Sequence, residues 1–201
     1  MKLKILALVS TLLLGAATNA SASLIISGGN CSNLTITTST YSNTLNGCFG
    51  ANLYTDSNTT LKFVFLGKDA SYWDSLVASN GSQSITMSNQ DSPGTTYVLD
   101  GVLAGLINFV INVDSNHDGI TDTSVQNGQN TSGSPGFWLG QGSDGGIIIG
   151  VDDGGAGKDG DYNDIVGEIS AVPEPSSLAL ISLGLVGGIL ALRNRKSRKD
   201  S

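Results

Sequence analysis

Residues 106–113 read L-I-N-F-V-I-N-V. Ile107, Phe109, Ile111 and Val113 alternate with Leu106, Asn108, Val110 and Asn112, so one face is wholly apolar and the other carries two amides. A period of two predicts a β-strand lying across a core. Outward from it, short apolar runs recur between Gly, Ser, Thr and Asn: residues 24–26, 34–38, 61–66, 137–139, 147–151 and 165–169. In the third of these Leu61, Phe63 and Phe65 line one face. Residues 84–88 and 95–99 read as a strand pair around Q-D-S-P-G at 90–94, which carries turn chemistry. Residues 69–78 read differently. Tyr72-Trp73 and Leu76-Val77 recur at helical spacing and predict a short helix. About eight short strands joined by turns predict an all-β fold, a β-sandwich or jelly roll. No repeat of fixed period is present.

The ends of the chain differ from its middle. Lys2 and Lys4 precede an apolar run, and Ala20-Ser21-Ala22 forms an A-x-A cleavage site, so residues 1–22 read as a secretory signal peptide for the Sec pathway. Residues 23–171 form a β-rich acidic ectodomain. Between 23 and 175 there are three cations, Lys62, Lys68 and Lys158, against sixteen acidic residues, a formal charge of −13 that the whole-chain value of −7 conceals. Such a domain excludes nucleic acid as a partner and suits divalent cations; the same charge also serves solubility. Cys31 and Cys48 are the two cysteines, and in an exported domain they predict a disulfide. It would close a loop worth about 3 kcal/mol.

Two acidic stretches carry the candidate chemistry. The first, D-S-N-H-D-G-I-T-D at 114–122, sets oxygen-bearing side chains at positions 1, 3, 5 and 9 with Gly at 6. Asp114, Asn116, Asp118 and Asp122 would offer side-chain oxygens to Ca2+, and Ile120 its carbonyl. The string resembles the calcium loops of thrombospondin type 3 repeats and dockerins. It departs from them at position 12, where Val125 replaces the acidic ligand, which implies weak, millimolar binding. The alternative is a plain Asp/Asn/Gly surface turn. The second stretch runs from Asp152-Asp153 through a glycine loop to D-G-D-Y-N-D at 159–164. Asp159, Asp161 and Asn163 alternate and would share one side of an extended backbone, with Asp164 turning into the last strand. It resembles the D-x-D-[YFH]-[ND]-D signature of the DUF4114 family, which implies a hairpin closed by these residues and a calcium ion held by them. The alternative is a rigid hairpin whose Asp side chains cap backbone N–H groups.

Enzymatic signatures are missing. The sequence has no G-x-S-x-G, P-loop or metallohydrolase histidine motif, and His117 is its one histidine. The chain therefore reads as no enzyme. A glycan hydrolase would need Asp152 and Asp164 to face each other across a cleft. A carbohydrate-binding or adhesin module would use Trp73, Tyr72 or Trp138 as stacking platforms.

The tail, 172–199, has three parts. Pro173-Glu174-Pro175 breaks any strand or helix, residues 176–192 are apolar, and a basic cluster at 193–199 opens with Arg193. A helix over the apolar run would be about 25 Å long, slightly under a hydrocarbon core of about 30 Å. The cluster would stay on the cytoplasmic side. The composite resembles the PEP-CTERM sorting domain. That resemblance implies a transient inner-membrane intermediate, processing by an exosortase near Pro-Glu-Pro, and delivery to the cell surface or extracellular matrix of a Gram-negative bacterium. It further implies association with exopolysaccharide and biofilm.

Overall fold

Residues 147–152 read I-I-I-G-V-D, an apolar run without alternation, and every one of them is buried. A strand of this kind needs cover on both faces. The computed structural model describes residues 22–131, 133–154 and 160–172, and it supplies that cover. The fold is all-β. Among the described residues there are fourteen strands: β1 (Leu24–Ser27), β2 (Asn30–Thr37), β3 (Ser42–Phe49), β4 (Asn52–Thr55), β5 (Thr59–Gly67), β6 (Trp73–Ser79) and β7 (Ser84–Ser88) in the first half, then β8 (Thr96–Val102), β9 (Gly105–Leu106), β10 (Phe109–Asp114), β11 (Thr123–Gln126), β12 (Gly136–Gln141), β13 (Ile147–Asp152) and β14 (Ile165–Val172).

All pairings are antiparallel. The largest sheet has the order β2-β3-β12-β13-β14-β5-β8, a second β11-β10-β6-β7, and a third β1-β4-β9. One apolar cluster joins all three: Phe63 and Phe65 from β5 and Ile149 from β13 meet Leu76 from β6, Phe109 from β10 and Leu53 from β4. The other face of the large sheet carries a second cluster of Ile36, Trp138, Ile148, Tyr162 and Val166. Ala22–Val172 is one compact unit, whereas the signal-peptide segment, Pro173-Glu174-Pro175, the apolar run and Arg193 lie outside the described residues. Among the described residues no helix is long and apolar enough to cross a membrane.

Three expectations change. Residues 73–79 form strand β6, with no helix at 69–78. Its burial alternates, Asp74, Leu76 and Ala78 inward and Trp73, Ser75 and Val77 less so, and pairing on both sides by β10 and β7 satisfies the ladder. The run 106–113 is two strands. Leu106 belongs to β9 against β4, while Phe109 onward belongs to β10 against β6. Between them Ile107 N–H donates to Leu53 O, and buried Asn127 Nδ2 donates to both Leu53 O and Ile107 O at 2.7 Å, so a side-chain amide replaces the ladder where the chain changes sheets. The pair at 84–88 and 95–99 also parts: β7 stays beside β6, whereas Gly94 N–H donates to Phe65 O and leads β8 onto β5. Strands β3, β4 and β11 were not expected; they are short or rich in Ser, Thr and Asn.

Cys31 and Cys48 form the disulfide, as directly opposed residues of β2 and β3. Beside them Trp138 lies over two glycines, Gly140 on its own strand and Gly47 across from it, and a Cβ at either would overlap the indole. Gly140→Ala should cost about 1–3 kcal/mol through overpacking. Urea denaturation of the variant checks this, with a lowered midpoint at unchanged slope as the expected outcome.

Candidate functional site

Strands β6 and β10 bring the first acidic stretch to an edge of the core. Val113 lies opposite Asp74 and Asp114 opposite Trp73. Past Asp114 the chain turns through 115–122, and a groove of about 190 Å³ opens there, lined by Trp73, Asp74, Gln90, Asn112, Asp114 and Ile120 among others. Trp73 is 46% exposed and Ile120 66% exposed. His117, at φ 62, turns its ring toward the indole at 5.0 Å, and its Nε2 lies 2.9 Å from Ser71 O.

The loop is held by its own oxygens. Asp114 is buried, and its Oδ1 and Oδ2 accept the N–H groups of Asp118 (3.2 Å) and Gly119 (2.8 Å). Asn116 Oδ1 accepts from Asp118 N–H, and Asp118 Oδ1 from Ile120 N–H. Asp122 Oδ2 accepts from both the N–H and the hydroxyl of Ser115, and the hydroxyl first, then the amide, hold its carboxyl below the usual range. Asn116, Asp118, Ile120 and Asp122 are exposed. A carboxylate oxygen that accepts one N–H keeps a lone pair, so this cage of turns leaves oxygen donors for an ion.

The second stretch joins β13 to β14. Asp152 ends β13 and Asp153 follows it, both buried; Asp161, Asn163 and Asp164 lead into the next strand; Asp159 lies outside the described residues. Asp153 N–H donates to Asp164 Oδ2 at 2.7 Å, and Asp152 Oδ1 accepts from Ser134 Oγ (2.8 Å) and Gly154 N–H (3.0 Å). Asn163 Nδ2 donates to Asp161 Oδ2 and to Thr37 O. Between them Tyr162 is held at φ 54, buried edge-on against Phe49 at 5.1 Å. A non-glycine residue there is strained, and the aromatic packing offsets the strain.

Asp74 connects the two stretches, and the sequence reading missed it because it placed Asp74 on a helix. The signal was present: Asp74, Leu76 and Ala78 occupy alternate positions, so the carboxyl shares the buried face. Asp74 is 1% exposed. Its Oδ2 accepts from Asn89 Nδ2 at 2.9 Å, while Oδ1 is buried with no donor. Burial pushes the Asp74 carboxyl up to about 8, and Asp153 and Asp164 add to the effect, Asp153 from within hydrogen-bonding reach. Two carboxyls form such a bond only when one carries a proton. Burial likewise pushes Asp164 to about 7, against the N–H of Asp153, with Asp153 and Asp161 raising it further. Among the described residues no three His, Cys, Asp or Glu side chains already stand at metal-holding spacing.

Neither Asp152 nor Asp164 lines the groove beside Trp73. A second groove of about 170 Å³ contains Asp144 and Glu168. Burial and then the Asp144 carboxyl, to which it hydrogen-bonds, raise Glu168. A glycosidase pair needs about 5 Å or more between carboxyls, so these two stand too close. Trp138 is 0% exposed and is not a stacking platform.

An acid whose pKa rises on folding favours the fold below its unfolded value and opposes it as pH climbs through its folded value. Asp74 moves from 3.8 to about 8. Asp56, Asp122 and Asp144 are held low and act below that window, in the opposite sense. Without divalent ions the melting temperature should therefore fall between about pH 4 and pH 8. Asp74→Asn should raise it by several degrees at pH 8 and leave it nearly unchanged near pH 4. Scanning calorimetry across that range checks both.

No curated protein and no solved structure matches the chain. A family model does: the PEP-CTERM protein-sorting motif matches residues 171–196, beginning inside β14, whose last residue is Val172. The motif implies export to the cell surface or beyond and processing by an exosortase. The chain is thus an exosortase-targeted protein that carries the PEP-CTERM sorting motif, which begins in the last two residues of its last strand.

Proposed function

We propose that this protein is a non-catalytic component of the bacterial surface or biofilm matrix, a β-sandwich domain associated with extracellular polysaccharide. The single observation that carries this reading is the sorting motif at 171–196. In the pathway we infer, residues 1–22 direct Sec export, residues 176–192 hold an inner-membrane intermediate, and exosortase acts near Pro173-Glu174-Pro175. The tail then serves as an address that is discarded. Acidic composition supports a matrix role, since −13 over residues 23–175 keeps a domain dispersed among hydrated glycans. Ca2+ bound by the loop at 114–122 would stiffen one wall of the groove, and millimolar calcium is met only outside the cell.

A calcium-dependent carbohydrate-binding or adhesin role is the second reading, and the groove favours it. The half-exposed indole of Trp73 stands beside amides, a carboxylate and a hydroxyl of Gln90, Asn112, Asp114 and Thr121. An aromatic face flanked by hydrogen-bonding groups matches a pyranose ring, which is apolar on its faces and polar at its rim.

Fractionation tests the sorting step. Replacing Pro173-Glu174-Pro175 by alanines should retain the uncleaved chain in the membrane fraction, and mass spectrometry of surface protein that still recovers peptides from 176–192 in the native chain would refute removal of the tail. A glycan array tests the groove. Trp73→Ala should weaken any bound glycan about fivefold, the loss of one stacking contact of roughly 1 kcal/mol. Binding that is insensitive to Trp73→Ala would move the glycan elsewhere.

A further inference from the structure

Both ends of the domain leave from one turn. Ser23 N–H donates to Asp56 Oδ1 at 2.8 Å, and Asp56 N–H donates back to Ser23 O at 3.2 Å. Val172 lies opposite Thr60, and Thr59 Oγ1 stands 3.5 Å from Val172 O. Residues 56–59 thus gather the start and the finish of the domain. From there β5 crosses to Gly67, about 27 Å away. At that far end Asp69 N–H donates to Asn163 O in the acidic turn, and His117 of the loop at 114–122 reaches Ser71 O.

Surface chemistry divides along the same axis. The stretches 114–122 and 152–164 hold eight acidic residues, whereas 22–27, 52–60, 98–108 and 170–172 together hold two, Asp56 and Asp100. Apolar side chains stand exposed at the turn instead. Leu103 is 68% exposed, and the N–H of Ala104 next to it donates to Asn58 Oδ1. Ile25, Tyr54 and Leu106 are directly opposed across β1, β4 and β9, with Ile25 45% and Leu106 43% exposed. Val172 is exposed as well. Apolar surface gathered in one place marks a contact with a partner or a membrane.

We propose that this end of the domain docks on the lipid surface, with Leu103, Leu106 and Ile25 seated among the headgroups, while the chain is still held by its tail. The inference rests on the membrane-held intermediate of the function proposed above. Chain length selects the occupant. From Val172 to the apolar run that opens at Ser176 is four residue steps, at most about 14 Å. Headgroups fill about 5–8 Å of that distance on one side of a bilayer. The turn at 56–59 is therefore kept within reach of the lipid for as long as residues 176–192 span it. Charge selects the orientation, because the end nearly free of acids can approach a negatively charged bilayer and the end rich in them is repelled. Docked in this way, the domain presents the groove beside Trp73 away from the bilayer.

The chain, purified with its tail intact, is reconstituted in phosphatidylcholine vesicles and floated on a density gradient. Leu103→Cys and Leu106→Cys variants are each labelled with an environment-sensitive fluorophore, and Ile120→Cys serves as the far-end control; the native cysteines are disulfide-bonded and take no label. Labels at 103 and 106 should be quenched by brominated lipid, and quenching by aqueous iodide should be several-fold weaker there than at 120. Two labelled sites keep the test independent of either variant's folding. Floating chains whose labels at 103 and 106 are as open to iodide as the label at 120 overturn the docking and leave the membrane-held intermediate standing. Chains that do not float overturn both. Protection that grows with the ratio of protein to lipid marks contact between copies of the chain and overturns docking on lipid.

Discussion

The structure depends on a strand that is buried on both faces. In β13, Ile147, Ile149 and Val151 enter the main core while Ile148 enters the smaller one. Each face must be covered, because exposed aliphatic surface on a central strand would forgo roughly 1.5–3 kcal/mol per side chain. One face is covered by side chains of the other two sheets. The opposite face is covered by Trp138, Ile36 and Tyr162, which fit because Gly47, Gly140 and Gly150 lack side chains. The same requirement holds Tyr162 in a left-handed conformation and so shapes the turn that carries Asp161, Asn163 and Asp164.

The charge of the domain is unevenly stabilised. In the loop at 114–122, carboxylates accept backbone N–H groups and so replace water with protein donors. Asp152 does the same with Ser134 and Gly154. Behind the groove, Asp74 faces Asp153 and Asp164 with one amide donor from Asn89. The concentration of raised pKa values at that point follows from burial without counter-charge.

Much of the strand content was legible from short-range patterning. Leu61, Phe63 and Phe65 alternate and are all buried; 24–26, 147–151 and 165–169 likewise became strands. The disulfide was legible from cysteine number and compartment. Residues 69–78 misled because two aromatic and two aliphatic residues fit both a helical and an alternating period, and only the ladders to β10 and β7 separate them. The break at Ile107–Asn108 was hidden because alternation continues through it; what ends the strand is Asn127, a side chain far along the chain.

Local chemistry settled many of the strands and the sorting motif, because each depends on residues a few positions apart. Which sheet a strand joins depends on partners distant in sequence, and so β7 and β8, adjacent in the chain, parted. The meeting of Asp74 with Asp153 and Asp164 is of the same kind. No spacing encodes it, since it arises where two sheets close over one core and leave three acids at their common edge.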